Sequence, residues 1–141
     1  MQSHKPLLLV VEDDFLVRLT LVDAMSDLGF EVLEAEDARN ALSLLCGRPE
    51  IELMLTDIDL PGGSDGFALA RAARVIRPRL PIIYASGRYS RVEPHQQVEG
   101  ARFIPKPFTP SLAAAVIHEL LGAGPCFGGS RYPAAATDRR I

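Results

Sequence analysis

The sequence predicts an α/β fold: a doubly wound, five-stranded parallel sheet with helices on both faces. Two observations carry the prediction. Short, continuous apolar runs alternate along the chain with stretches whose apolar residues recur at helical spacing. The polar residues that could do chemistry, Glu12, Asp13, Asp57, Ser86 and Lys106, each fall at or just after the end of one of those apolar runs. Strands that alternate with helices pair in parallel through right-handed crossovers and are covered on both faces.

Leu7 to Val11 is an uninterrupted apolar strand. Phe15, Leu19, Val22 and Met25 then recur at helical spacing until Gly29 supplies a stop, with Asp14 opening the helix. Glu31 to Ala35 reads as a second, shorter strand, and Asp37 can cap a helix from Ala38 to Leu45 that Gly47 and Pro49 close. A third strand spans Ile51 to Asp57, followed by the turn LPGGSDG and a helix over Phe67 to Ile76. LPIIYASG, from Leu80 to Gly87, contains the fourth strand, and Ala101 to Ile104 form the fifth. The last helix takes Thr109 as N-cap and Pro110 as its first residue, and runs to Leu121 before Gly122. Between the fourth and fifth strands, Arg88 to Gly100 contains Pro94 and few apolar residues, which predicts a short or mobile helix there.

The chain has 141 residues, the size of one domain, and 48% apolar content supports an ordinary core. A net charge of −3 and a pI near 5.6 give no basic footprint for nucleic acid. No apolar run approaches the ~20 residues that span a bilayer, so no membrane partner is expected. MQSHKP leads directly into the first strand without a small-residue cleavage site, which points to the cytoplasm. Cys46 and Cys126 match neither a disulfide framework nor a zinc site, and His4, His95 and His118 match no ligand spacing. Arg71, Arg74, Arg77 and Arg79 read as residues that solvate the third helix and its exit rather than bind nucleic acid. Residues 1–122 form the expected domain. Residues 123–141, rich in Gly, Pro and Ala, read as a disordered tail that leaves no room for a further output domain.

In parallel α/β sheets, ligands bind beyond the carboxyl ends of the strands. Glu12 and Asp13 follow the first strand, Asp57 ends the third, Ser86 the fourth, and Lys106 follows the fifth, so all five share one rim. Neighbouring carboxylates repel, at about 4 kcal/mol for two charges about 4 Å apart at an effective dielectric near 20. A cation offsets that cost, and a few carboxylates with retained waters favour magnesium.

With that set assembled, the chain resembles the receiver domain of two-component response regulators. The likeness is carried by VVEDD at Val10 to Asp14, LTDIDLPGGSDG at Leu55 to Gly66, YASG at Tyr84 to Gly87 and FIPKPF at Phe103 to Phe108, and it covers Lys5 to about Leu121. It implies a flavodoxin-like receiver fold, with Asp57 as phosphoacceptor. Glu12, Asp13 and Asp57 would hold Mg2+, joined by the backbone carbonyl of Asp59. Ser86 and Lys106 would hold the phosphoryl group, and Ser86 with the aromatic Phe103 would form the switch. A cis bond at Lys106–Pro107 is also implied. The implied partners are a sensor histidine kinase or histidine phosphotransfer protein and a downstream protein target, with the chain acting as a stand-alone switch, a monomer or weak homodimer, and not as an enzyme on other substrates. Two features depart from the commonest pattern: LPGGSDG carries one extra residue between Pro61 and Asp65, and YASG replaces a Thr-Ala ending.

Two other readings share these residues. DIDL, Asp57 to Leu60, resembles the D-x-D nucleophile motif of haloacid-dehalogenase-type magnesium phosphohydrolases. That motif ends the first strand of its core, however, and beyond Lys106 the next carboxylate here is Glu119, inside a predicted helix. A receiver-like scaffold that never takes phosphate is the third reading, against which the intact Asp57, Ser86 and Lys106 set argues.

Overall fold

A computed structural model describes residues 4–62, 65–88 and 92–122. Five strands, β1 (Leu7–Val11), β2 (Glu31–Ala35), β3 (Leu53–Asp57), β4 (Ile82–Ser86) and β5 (Arg102–Pro105), form one parallel sheet in the order β2-β1-β3-β4-β5. Four helices alternate with them: α1 (Phe15–Asp27), α2 (Ala38–Gly47), α3 (Gly66–Ile76) and α4 (Pro110–Gly122). The expected tail, 123–141, lies outside the described residues, as do Gly63 and Ser64 in the lengthened turn and Tyr89 beside the fourth strand.

The continuous apolar strands are buried on both faces because each face carries its own core. Leu9, Val11, Met54, Ile82 and Tyr84 point toward α2 and α3, where Ala41, Leu45, Phe67 and Ala70 meet them. Leu8, Val10, Leu55, Ile83 and Ala85 point the other way, onto Met25 of α1 and Ala113 and Ile117 of α4. Period-two alternation along each strand thus divides one apolar run between two layers. β2 and β5 are the sheet's edges and are correspondingly less apolar.

The caps stand where local chemistry directs. Asp14 Oδ1 accepts from the Val17 amide at 3.1 Å, Asp37 from Asn40 at 2.8 Å, Asp65 from Ala68 at 2.8 Å, and Thr109 Oγ1 from Leu112 at 3.1 Å. Each satisfies an N–H that a helix start otherwise leaves open.

α1 forms where the helical spacing predicts it, with Phe15 and Leu19 exposed at 61% and 42%. Met25 is that helix's buried residue, with Leu21 and Ala24 packed beside it. The helix expected between β4 and β5 does not form among the described residues, where 94–100 makes turns. Its backbone donors are taken by other partners: the Glu93 amide donates to Gln96 Oε1 at 3.0 Å, and the Val98 amide to Tyr84 Oη at 3.1 Å. Arg74 holds the same stretch through Glu99, whose carbonyl accepts from Nη2 at 2.8 Å, while its Nε donates to the Leu80 carbonyl at 2.7 Å. Val92, Val98 and Ala101 pack on the core beneath.

Candidate phosphorylation site

The strand order reverses between β1 and β3, and their carboxyl ends open the crevice where such sheets bind ligands. Glu12 and Asp13 leave β1 there and Asp57 ends β3. One carboxylate oxygen from each of the three lies within 4.8 Å of the others. Thr56 and Asp57 pair in register with Tyr84 and Ala85 of β4, which puts Ser86 one step beyond.

Glu12 is fixed more tightly than its neighbours. It is 4% exposed, its Oε1 accepts from Lys106 Nζ at 2.7 Å, and its Oε2 accepts from the Asp14 amide at 3.1 Å. Its carbonyl accepts from Arg18 Nη1 at 2.8 Å, and its amide donates to the Ala35 carbonyl at 3.0 Å. Asp13 is exposed and Asp57 half-buried. Lys106 Nζ also lies 3.5 Å from Asp57 Oδ2, so one ammonium faces two of the three acids. The Lys106–Pro107 bond is cis, and the Lys106 amide donates to the Ser86 carbonyl at 2.8 Å, tying β5's exit to β4's.

The charges are tuned by this arrangement. Burial pushes the Asp57 carboxyl up from its ordinary value, and repulsion from Glu12 adds to the rise, while Lys106 and the Asp59 amide pull against it without prevailing. Burial pulls the Lys106 ammonium down, but its hydrogen bond to Glu12 and its attraction to Asp57 outweigh that, and the net shift is upward. Lys106 therefore stays charged at neutral pH. Asp57 carries a charge that the protein alone does not fully compensate, which is the electrostatic condition for recruiting a cation.

Ser86 is fully buried; its Oγ accepts from the Arg88 amide at 3.0 Å. Phe103, in register with Tyr84, is half-buried and packs on the core that contains it. The Asp59 amide points at Asp57 Oδ1 from 3.4 Å, a long contact. Its carboxylate pairs instead with Arg88, at 3.3 Å, and stands outside the three-acid cluster. Asp14, beside the cluster in sequence, serves as helix cap.

Two supporting residues are not visible in residue patterning. Arg18 reaches back from α1 to the Glu12 carbonyl, bridges to Glu34 at 3.0 Å and lies over the Phe15 ring. Gly66 begins α3 directly against β3: a Cβ there would stand 2.4 Å from the Asp57 carbonyl oxygen and 2.9 Å from Ile58 Cα, and its amide donates to the Ile58 carbonyl at 2.6 Å. The Asp-Gly pair before the helix is the one sequence signal for it.

The geometry matches a known class, and residues 8–118 match the response regulator receiver domain family. This chain is a member of that family. It is 36% identical over 135 residues to the transcriptional regulatory protein AruR of Pseudomonas aeruginosa, covering 85% of this chain and 54% of that protein. It is 32% identical over 126 residues to the protein PetR of Rhodobacter capsulatus, covering 86% of this chain and 51% of that one. The chain thus spans about half the length of these relatives. Among solved structures, a response regulator receiver protein from Sinorhizobium medicae superposes with a TM-score of 0.77 at 28% identity, over 84% of this chain and 95% of that one. The receiver domain of the hybrid histidine kinase CckA gives 0.70 at 30% identity, over 82% and 99%. Among the described residues, no helix is long and apolar enough to cross a membrane.

Proposed function

We propose that Asp57 accepts a phosphoryl group from a histidine of a sensor kinase or phosphotransfer protein, and that the aspartyl phosphate switches binding to a downstream protein in the cytoplasm. The observation that carries this is the convergence of Glu12, Asp13 and Asp57 within 4.8 Å, with the Lys106 ammonium against two of them.

The three carboxylates are a hard-oxygen donor set suited to Mg2+, with the Asp59 carbonyl as a fourth ligand. Bound there, the ion would offset the negative charge on the acids and on the transferred group. An Asp57 oxygen attacks phosphorus, the new O–P bond forms as the N–P bond to the donor histidine breaks, and the departing imidazole takes its proton from solvent. Lys106 stabilises the charge on the equatorial oxygens from a fixed position. Ser86 donates its hydroxyl proton to one of those oxygens. Water later attacks phosphorus, releases inorganic phosphate and restores the carboxylate, so the only turnover is of the protein's own phosphoryl group.

Phosphorylation then biases a two-state element. Ser86 turns toward the phosphoryl group, Phe103 on the neighbouring strand responds, and the surface built from the 92–101 stretch, β5 and α4 changes its preferred packing. The donor reaches Asp57 across the apolar surface beside Lys106.

Acetyl phosphate with Mg2+ tests the reading. Intact mass should rise by one phosphoryl group in the parent chain and not in Asp57→Asn. Labelling that persists in the variant would refute the acceptor assignment, and a folded parent that takes no label would favour the phosphate-independent scaffold.

A further inference from the structure

Between the end of β1 and the start of α1 the chain places three consecutive acids, Glu12, Asp13 and Asp14. β1 pairs with β2 as far as Val11 with Ala35 and with β3 as far as Val11 with Thr56, so the Glu12 carbonyl lies past the last paired residue of its strand. Arg18 takes that carbonyl, donating from Nη1 at 2.8 Å. The same residue's amide donates to the Asp14 carbonyl at 2.9 Å as part of the helix. One residue thus grips the acidic stretch at both ends, with Asp13 between them.

The grip is stiff. The Arg18 side chain is 12% exposed, its Nε donates to Glu34 Oε1 on β2 at 3.0 Å, and its guanidinium carbon lies 5.6 Å from the Phe15 ring centroid. A planar fork that donates in two directions and lies on an aromatic ring is what a guanidinium supplies and an ammonium does not. Glu34 also balances the guanidinium's charge, so the fork adds little repulsion toward a cation at the neighbouring acids. The Glu12 carboxylate has holds of its own, Lys106 Nζ at 2.7 Å and the Asp14 amide at 3.1 Å. Asp13 is exposed, and the backbone on either side of it is what Arg18 holds.

We infer that Arg18 is a positioning residue for the metal site: by holding the Glu12 carbonyl it fixes the backbone that aims Asp13 into the three-acid cluster, and so sets the affinity for Mg2+. The inference rests on the proposed function for its metal, and it adds a residue that acts through Asp13. Groups that orient metal ligands from one layer out are worth about tenfold or more in affinity. Because the loss is one of metal binding, acetyl phosphate labelling in an Arg18 variant should slow at low Mg2+ and recover at saturating Mg2+.

Amide NMR titration with Mg2+ tests it on full-length chains: the parent, Arg18→Met, Arg18→Lys, Asp13→Asn and the Arg18→Met/Asp13→Asn pair. Positioning predicts an Mg2+ Kd about tenfold weaker in Arg18→Met and a smaller loss in Arg18→Lys. In the Asp13→Asn background, Arg18→Met should add no further loss. A purely electrostatic Arg18 gives the opposite sign, because removing a cation tightens Mg2+ binding. Tighter or unchanged binding in Arg18→Met would therefore overturn the inference. If that variant does not fold, Arg18→Lys decides, since parental affinity there would show that charge without the fork suffices. Full additivity in the double variant would also overturn it, because Arg18 would then not act through Asp13. A parent that does not bind Mg2+ would remove the metal reading and the inference together. A parent that binds Mg2+ but takes no phosphoryl group would refute the phosphoacceptor role and leave the positioning result standing.

Discussion

Lys106 and Glu12, which stand 94 residues apart in the sequence, form the shortest ion pair at the site, 2.7 Å between Nζ and Oε1, with Glu12 nearly inaccessible to solvent. Lys106→Ala would leave that carboxylate buried and unpaired. Breaking a fully buried pair costs about 3–5 kcal/mol; with Lys106 a quarter exposed, a loss of about 2 kcal/mol is expected. Urea unfolding reads it directly, and adding Glu12→Gln should restore part of the loss. An unchanged midpoint in the single variant would show that the pair contributes nothing.

Asp57 behaves oppositely. The fold holds its pKa above the unfolded value, so its contribution to stability is fully present below the ordinary aspartate pKa and is lost as pH rises through the folded one. At pH 7 the ionised carboxylate is a net liability. Metal-free Asp57→Asn should therefore melt higher than the parent at pH 7, by a few degrees or about 1 kcal/mol after allowing for solvent screening. The gap should close as pH falls below the ordinary aspartate pKa. A variant less stable than the parent at pH 7 would contradict the sign.

Magnesium should reverse that ranking. Millimolar Mg2+ is expected to raise the melting temperature of the parent, because a ligand that binds only the native state stabilises it by mass action. Glu12→Gln and Asp13→Asn should each weaken the response about tenfold in concentration. Equal responses in parent and variants would remove the three-acid cluster as the metal site.

Gly66 offers a test without charge. A methyl group there meets backbone on β3 at 2.4 Å, and backbone cannot rotate aside, so Gly66→Ala must shift α3 or the end of β3. A destabilisation of about 2 kcal/mol or more is expected, with slower acetyl phosphate labelling of Asp57. Stability and labelling rate both at parental levels would show that the two elements separate freely.

Tyr84→Phe removes the hydroxyl that the Val98 amide donates to while keeping the ring against Phe67. About 1 kcal/mol should be lost, and amide exchange should rise at Val98 before it rises in β4. Uniform exchange along both would argue against the hydroxyl as the tie between strand and loop.

Much of this was legible in residue order. The central strands β1, β3 and β4 announce themselves because a parallel strand buried on both faces reads as a nearly continuous apolar run, as Leu7 to Val11 does. Asp14, Asp37 and Thr109 are readable as caps because capping is local chemistry. The site residues are readable because strand ends converge once the topology is known. What stays hidden depends on three-dimensional neighbours. Spacing locates α1 and cannot say that Phe15 and Leu19 face outward. The 94–100 turns exist because Tyr84 and Arg74, distant in sequence, take backbone groups that a helix would have used. Arg18's hold on the Glu12 carbonyl belongs to packing alone, and the clearance at Gly66 shows in the sequence only as an Asp-Gly pair.

The two rims of the sheet carry a consequence for how many copies can coexist. An open sheet exposes unpaired amides and carbonyls along its outer strands, which can recruit another chain's strand and seed fibres. β2 presents the exposed carboxylates of Glu31 and Glu34, so two such rims brought together would repel. β5 is four residues long, begins with exposed Arg102 and ends in Pro105, which has no amide to offer. Where many copies meet, an acidic edge on one side and a short, proline-ended strand on the other hold the sheet at five strands.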